Sequence, residues 1–239
     1  MISKNRIRFI NALSQKKQRI ETNRFIIEGE KMVQEAVQWI PDLIENIYAT
    51  SDFVISSQHS MILPEEITVK ELKEISTLTT PNKALAICKI PENKSVDSSL
   101  IICLDGIQDP GNMGTILRLA DWFGIKDVVC SKNTVDCYNP KVLQATMGAI
   151  FRVHVHYVDL NDFLSNTELP IYGALLEGEN LFTKHYERKG IIVLGNEGNG
   201  ISEDIKKHIQ NAITIPRFGE AESLNVATAG AIILGAFYR

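Results

Sequence analysis

The 239-residue sequence predicts an α/β protein in two parts, a small α/β unit followed by a larger unit built on a mostly parallel sheet. Two observations carry this. Beyond residue 99, short apolar runs alternate regularly with segments of helical period, the pattern of parallel strands covered on both faces. Before residue 91 the order of helical and strand-like segments is irregular, over about ninety residues, a small-domain length. Residues 91–98 (PENKSVDS) separate the two. They are polar, open with proline and have no periodicity, as a linker does. The predicted organisation is therefore 1–90, a linker over 91–98, and 99–239. With 44% apolar and 23% charged residues, wholesale disorder is excluded.

The first element is basic. Residues 1–24 carry Lys4, Arg6, Arg8, Lys16, Lys17, Arg19 and Arg24 against Glu21 alone. Ile7, Ile10 and Leu13 recur at helical spacing, so this stretch reads as an amphipathic helix with a basic face. Such a face is either solvated or a polyanion contact, with Lys16, Lys17, Arg19 and Arg24 as the candidate contact residues. The chain as a whole has a net charge of −4. A strand at Phe25–Ile27 follows, then a helix over 31–39, strands at 44–49 and 67–69, a helix over 70–76 and a strand over 84–90. In the C-terminal part the strands are 100–104, 127–130, 152–155, 170–175, 190–194 and 212–215. The helices there are 112–123, 140–147, 160–165, a turn near 202–208, and 223–238. The four cysteines lack CxxC spacing and read as buried thiols. His154 and His156 share a strand face but have no further metal ligands at suitable spacing. No apolar run reaches the ~18 residues of a membrane span, and charges interrupt the N-terminus where a signal peptide is apolar. The plain expectation is a cytoplasmic protein.

Three loops follow strand ends, where open α/β sheets bind ligands. In the first, Asp109-Pro110-Gly111 makes a turn and Asn112 is placed to cap a helix, with Arg118 six residues further on. In the second, Leu194-Gly195-Asn196-Glu197-Gly198-Asn199-Gly200, three glycines in six residues allow close backbone approach to a ligand. Its spacing is GxxGxG, which is neither the dinucleotide fingerprint nor a P-loop. In the third, Pro216 follows a strand, an acidic loop comes next, and Ser223 is placed to cap a terminal helix rich in Ala and Gly, suited to close helix packing.

Together the segments DGIQDPGNMGTILRLADWFG (105–124), VLGNEGNGIS (193–202) and IPRFGEAESLNVATAGAIILGAF (215–237) resemble the SpoU (TrmH) family of RNA 2′-O-ribose methyltransferases, of the SPOUT superfamily. RFIIEGEKMVQEA (24–36) resembles the family's small substrate-binding domain, of L30e-like fold. The resemblance implies a SPOUT domain with a deep trefoil knot, a homodimer, and S-adenosylmethionine as methyl donor. It implies cofactor contacts at Leu194, Gly195, Asn196, Gly198, Ile215 and Leu224. It places Asn112, Arg118, Glu197, Ser223 and Asn225 in the catalytic cluster, with Arg118 near the subunit interface. The substrate it implies is structured RNA, ribosomal RNA first and transfer RNA second. The chain departs from common family residues at Pro81–Ala84, Gln144 and His154, outside the three signatures.

Methyl transfer from a sulfonium is an in-line displacement, so alignment is the main task. Arg118 is assigned to deprotonation in the family. A guanidinium normally stays charged, so stabilising the developing 2′-oxyanion is an equal role for it, with Glu197 or a phosphate taking the proton. Two other readings remain open at this point. One is a non-catalytic RNA-binding or ribosome-assembly factor. The other is a nucleotide- or NAD-binding Rossmann-like enzyme.

Overall fold

The computed structural model describes residues 2–55 and 63–239. Contacts divide the chain into two compact units, Met1–Glu92 with Asp136–Arg152, and Asn93–Val135 with Val153–Arg239. The first boundary, between Glu92 and Asn93, lies within residues 91–98. The second unit departs from the expected continuous stretch, because 136–152 packs with the N-terminal residues.

In the first unit, helix α1 (Lys4–Ala12) opens on Ser3, whose hydroxyl accepts the Arg6 N–H at 3.2 Å. The single basic helix expected here is two. Arg19 on α2 (Lys16–Thr22) donates to the carbonyls of Leu13 (2.9 Å) and Ser14 (2.7 Å), satisfying oxygens that end α1. Strand β1 (Arg24–Glu28), helix α3 (Glu30–Trp39), β2 (Ile44–Ala49), β3 (Glu65–Glu66), α4 (Val69–Ile75) and β4 (Ala84–Lys89) complete it, in sheet order β1-β4-β2-β3. β4 is antiparallel to both β1 and β2. The strand expected over 67–69 is displaced. Thr68 and Glu71 form a reciprocal capping box, so helix begins at Val69 and the strand is confined to 65–66. Ile10, Leu13, Ile26, Tyr48, Leu72, Ile75, Leu85 and Ile87 form the core. Helix α6 (Pro140–Thr146) packs against β1: Phe25 and Tyr138 rings lie 4.6 Å apart, and the Gln144 amide donates to the Glu28 carbonyl at 3.1 Å.

The second unit holds β5 (Leu100–Asp105), α5 (Pro110–Trp122), β6 (Asp127–Ser131), β7 (His154–Val158), α7 (Leu160–Ser165), β8 (Ile171–Asn180), β9 (Gly190–Gly195), α8 (Glu203–Lys206), β10 (Asn211–Thr214) and α9 (Val226–Phe237). Its six strands are parallel throughout, in order β10-β8-β9-β5-β6-β7. β8 runs past the expected 175 because, after a register shift at Ala212/Ile213, β10 pairs as far as Asn180. Ile101, Cys103, Val129, Ile191 and Val193 are buried on one face with Leu160 and Leu164 of α7. Asp127, buried at the start of β6, accepts from His156 Nε2 at 2.8 Å and from the backbone N–H of Ser98 at 3.0 Å. The end of the predicted linker is thereby tied to the sheet. All four cysteines are buried free thiols, and burial raises the pKa of Cys88 and Cys103.

Candidate active site

The three strand-end loops all belong to the second unit, and they meet through side chains far apart in sequence. β5 ends at Asp105. Gly106, at φ +72°, turns the chain, and its N–H donates to Ser131 Oγ at 2.9 Å. Asp109, not Asn112, caps α5, accepting the Asn112 N–H at 2.8 Å with Pro110 in the first turn. That frees the Asn112 side chain for another task.

β9 ends at Gly195 and the chain doubles back. Asn196 and Gly200 exchange backbone hydrogen bonds at 2.9 Å in both directions, and Asn196 Oδ1 accepts from the N–H groups of Gly198 and Asn199 at 3.0 and 3.1 Å. A Cβ on Gly195 would lie 2.2 Å from the Gly200 carbonyl carbon and the Ile201 nitrogen, so only glycine closes this loop. Two ties hold it to the first loop. Asp105 Oδ2 accepts the Ser202 N–H at 2.7 Å, and Asn196 Nδ2 donates to the Gly106 carbonyl at 2.7 Å.

Glu197 is the hub. Its Oε1 accepts from Asn112 Nδ2 at 3.0 Å and the Asp109 N–H at 3.2 Å, and its Oε2 accepts from the Gln108 N–H at 3.2 Å. Asn112 Oδ1 in turn accepts from Asn225 Nδ2 at 2.8 Å. Asn225, rather than Ser223, caps α9, its Oδ1 accepting from Ala227 and Thr228 at 3.0 and 3.2 Å. The expected cap at 223 is therefore two residues early, and α9 begins at Val226. The relay Asn225–Asn112–Glu197 fixes which way each amide points, since every donor faces an acceptor. Partial burial opposes the charge on Glu197, but hydrogen bonds from Asn112 and the backbone N–H groups of Gln108 and Asp109 outweigh it and hold the carboxyl below the usual range. Three of the roughly four acceptor positions of this carboxylate are thus engaged in holding the first loop.

Of the residues predicted to be catalytic, Asn112, Glu197 and Asn225 are brought together. Arg118 and Ser223 are exposed and outside the relay. Leu194 is buried beneath the loop, Ile215 is half-buried, and Leu224 is an exposed apolar side chain on the third loop. Sequence reasoning missed Asp105, Gln108 and Asp109, which hold the loops together. The available signal was their place inside the first signature.

The predicted RNA contacts need correction. Arg19 is 2% exposed and its guanidinium grips Asp136, with Nε at 3.0 Å and Nη2 at 2.5 Å from Oδ2. Arg24 is forked onto Glu45 at 2.5 and 2.8 Å. Both are structural guanidinium groups, because burial or a bidentate carboxylate claims their donors. Lys16 and Lys17 remain exposed, Lys17 in a loose 3.8 Å pair with Glu21.

The six-stranded parallel sheet with its three joined strand-end loops is the fold of the SPOUT methyltransferases, as the relatives below show. The chain belongs to the SpoU rRNA Methylase family, which matches residues 99–235, and residues 4–86 match the MRM3-like substrate binding domain. It is 30% identical over 227 residues to the 23S rRNA (guanosine(2553)-2′-O)-methyltransferase RlmP of Bacillus subtilis (strain 168), covering 93% of this chain and 91% of that protein. The fold matches a TrmH-family protein from Porphyromonas gingivalis at TM-score 0.88 and 37% identity, over 99% of this chain and 98% of that one. It also matches the AdoMet-bound rRNA methyltransferase from Sinorhizobium meliloti at TM-score 0.85 and 26% identity, over 99% and 96% of the two chains.

Proposed function

We propose that the chain methylates the 2′-hydroxyl of a guanosine in large-subunit ribosomal RNA, using S-adenosylmethionine. The observation that carries this is the Asn225–Asn112–Glu197 relay joining all three strand-end loops. The residues present fit the cofactor. Gly198 has no side chain over its exposed backbone, Gly195 lets the loop close tightly, and Leu224 adds an exposed apolar side chain on the third loop. Leu194, Gly195, Asn196, Gly198, Ile215 and Leu224 would hold it, and when bound it supplies an activated methyl on a sulfonium. The relay locks the loops in register, which is the alignment an in-line displacement requires. Arg118, exposed and outside the relay, keeps its charge and stabilises the 2′-oxygen as it loses its proton. With most acceptor positions of Glu197 already engaged, the proton leaves to a group outside this chain.

Finer features follow the same reading. Lys16 and Lys17 contact RNA phosphates. β9 lies between β8 and β5, and α9 packs on both β9 and α5, an arrangement that supports a threaded, knotted C-terminal part. The chain works as a homodimer in the cytoplasm; among the described residues no helix is long and apolar enough to cross a membrane. Nucleoside mass spectrometry of RNA from a deletion strain tests the substrate. A 2′-O-methylguanosine missing from large-subunit rRNA is the expected result, and a loss confined to tRNA overturns the assignment.

A further inference from the structure

The loop between β10 and α9 has a composition at odds with an RNA-binding surface. Residues 217–225 are exposed without a break, and they include Glu220 and Glu222. Carboxylates repel the phosphate backbone, where RNA contacts ordinarily use Lys and Arg. The same loop carries Phe218, 96% exposed, the most exposed of the large apolar side chains in the described residues. Its one cation, Arg217, folds back so that its guanidinium donates to the Ala221 carbonyl at 3.3 Å. That bond closes a five-residue turn with Phe218 and Glu220 inside it. The far end of the loop is Asn225, bonded to Asn112 in the relay. The loop therefore ends in the catalytic cluster and presents an aromatic ring and carboxylates, not a phosphate grip.

We infer that Phe218 stacks on the base of the nucleotide being methylated and that Glu220 reads it as guanine. This rests on the methyltransferase reading above. A base displaced from its own stack regains stacking on an aromatic side chain. Guanine is the base whose Watson–Crick edge shows two adjacent donors, N1–H and the 2-amino group. Adenine and cytosine pair a donor with an acceptor there, and uracil sets its single donor between two carbonyls. A carboxylate, which only accepts, matches guanine with both oxygens and leaves the acceptors of the other bases facing its charge.

The experiment uses the full-length chain, methyl-tritiated S-adenosylmethionine and unmodified in-vitro-transcribed large-subunit rRNA, with the label assigned by nucleoside digestion. The expected label lies in 2′-O-methylguanosine. Phe218→Ala and Glu220→Gln should each lower kcat/KM for the transcript about tenfold or more, while cofactor affinity by calorimetry stays within about two-fold. Phe218→Tyr, which keeps the ring, should remain within about threefold of wild type. Label in any other nucleoside, or undiminished transfer by both variants, overturns the inference while leaving RNA methyl transfer intact. A loss of cofactor affinity or a change in sedimenting mass in Phe218→Ala also overturns it, assigning the ring to the cofactor or to a second copy. No label in any nucleoside from the wild-type chain overturns the methyltransferase reading, and the inference with it.

Discussion

Arg118 and Glu197 differ in how their hydrogen-bonding capacity is used, and the proposed mechanism rests on that difference. Glu197 accepts from three loop-borne groups within 3.2 Å, and its charge serves to hold Asn112 and the first loop in place. Arg118 sits on α5 with no partner among the described residues, so its donors are available to substrate. A delocalised fork that points two donors at an oxyanion is not reproduced by the point charge of an ammonium. Arg118→Lys is therefore expected to lower kcat by about 10²–10³, the cost of losing one such donor. The pH–rate profile should keep its shape, because a charge rather than a titrating base has been altered. Near-wild-type turnover would remove any need for the guanidinium, and a shifted limb would restore Arg118 as the base. Both residues stand in the signatures, so their proposed roles start from the sequence. The difference between them was not legible there, because it depends on which donors face Glu197 across 85 and more residues of sequence.

At the scale of elements, α2 shows how one basic helix serves two purposes. Arg19 faces inward, closes the end of α1 and pairs with Asp136, while Lys16 and Lys17 face outward. Removing one partner of a buried ion pair leaves an uncompensated charge. Arg19→Ala should thus destabilise the protein by about 3–5 kcal/mol, read as a lower denaturant midpoint. Lys16→Ala with Lys17→Ala should leave that midpoint nearly unchanged. The double variant should instead lower RNA affinity and flatten the salt dependence of log Kd by about 1.5, the loss of two phosphate contacts. An unchanged salt slope would take α2 out of the RNA interface. Charge counting could not separate these cations, since Arg19 differs from Lys16 in the partner it meets, and Asp136 is 117 residues away.

For the whole molecule, the exposed stripe of α5 bears on assembly. Gly111, Thr115, Arg118 and Trp122 recur at helical spacing on its outer face, and Trp122 is 84% exposed. A large indole left in water beside Arg118 fits the proposed second copy of the chain covering this face. Sedimentation equilibrium should give the mass of two 26.7 kDa chains, and Trp122→Glu should shift it to one while lowering methyl transfer. A wild-type chain that sediments as a monomer at micromolar concentration would refute this.

Read alone, the sequence determined the α/β class, most of the strand-and-helix order and the places of the three strand-end loops. These depend on periodicity and local turn chemistry, which lie within a dozen residues of chain. The tertiary structure alone decided that 136–152 packs with the N-terminal unit, that Asp109 and Asn225 are the helix caps, and that Arg19 and Arg24 are structural. It also decided that Asn225, Asn112 and Glu197 form one relay. Each of these rests on which polar group finds a partner across long sequence separation. Composition and spacing do not encode that choice, because a buried donor or acceptor is satisfied by whatever the fold brings within hydrogen-bonding distance.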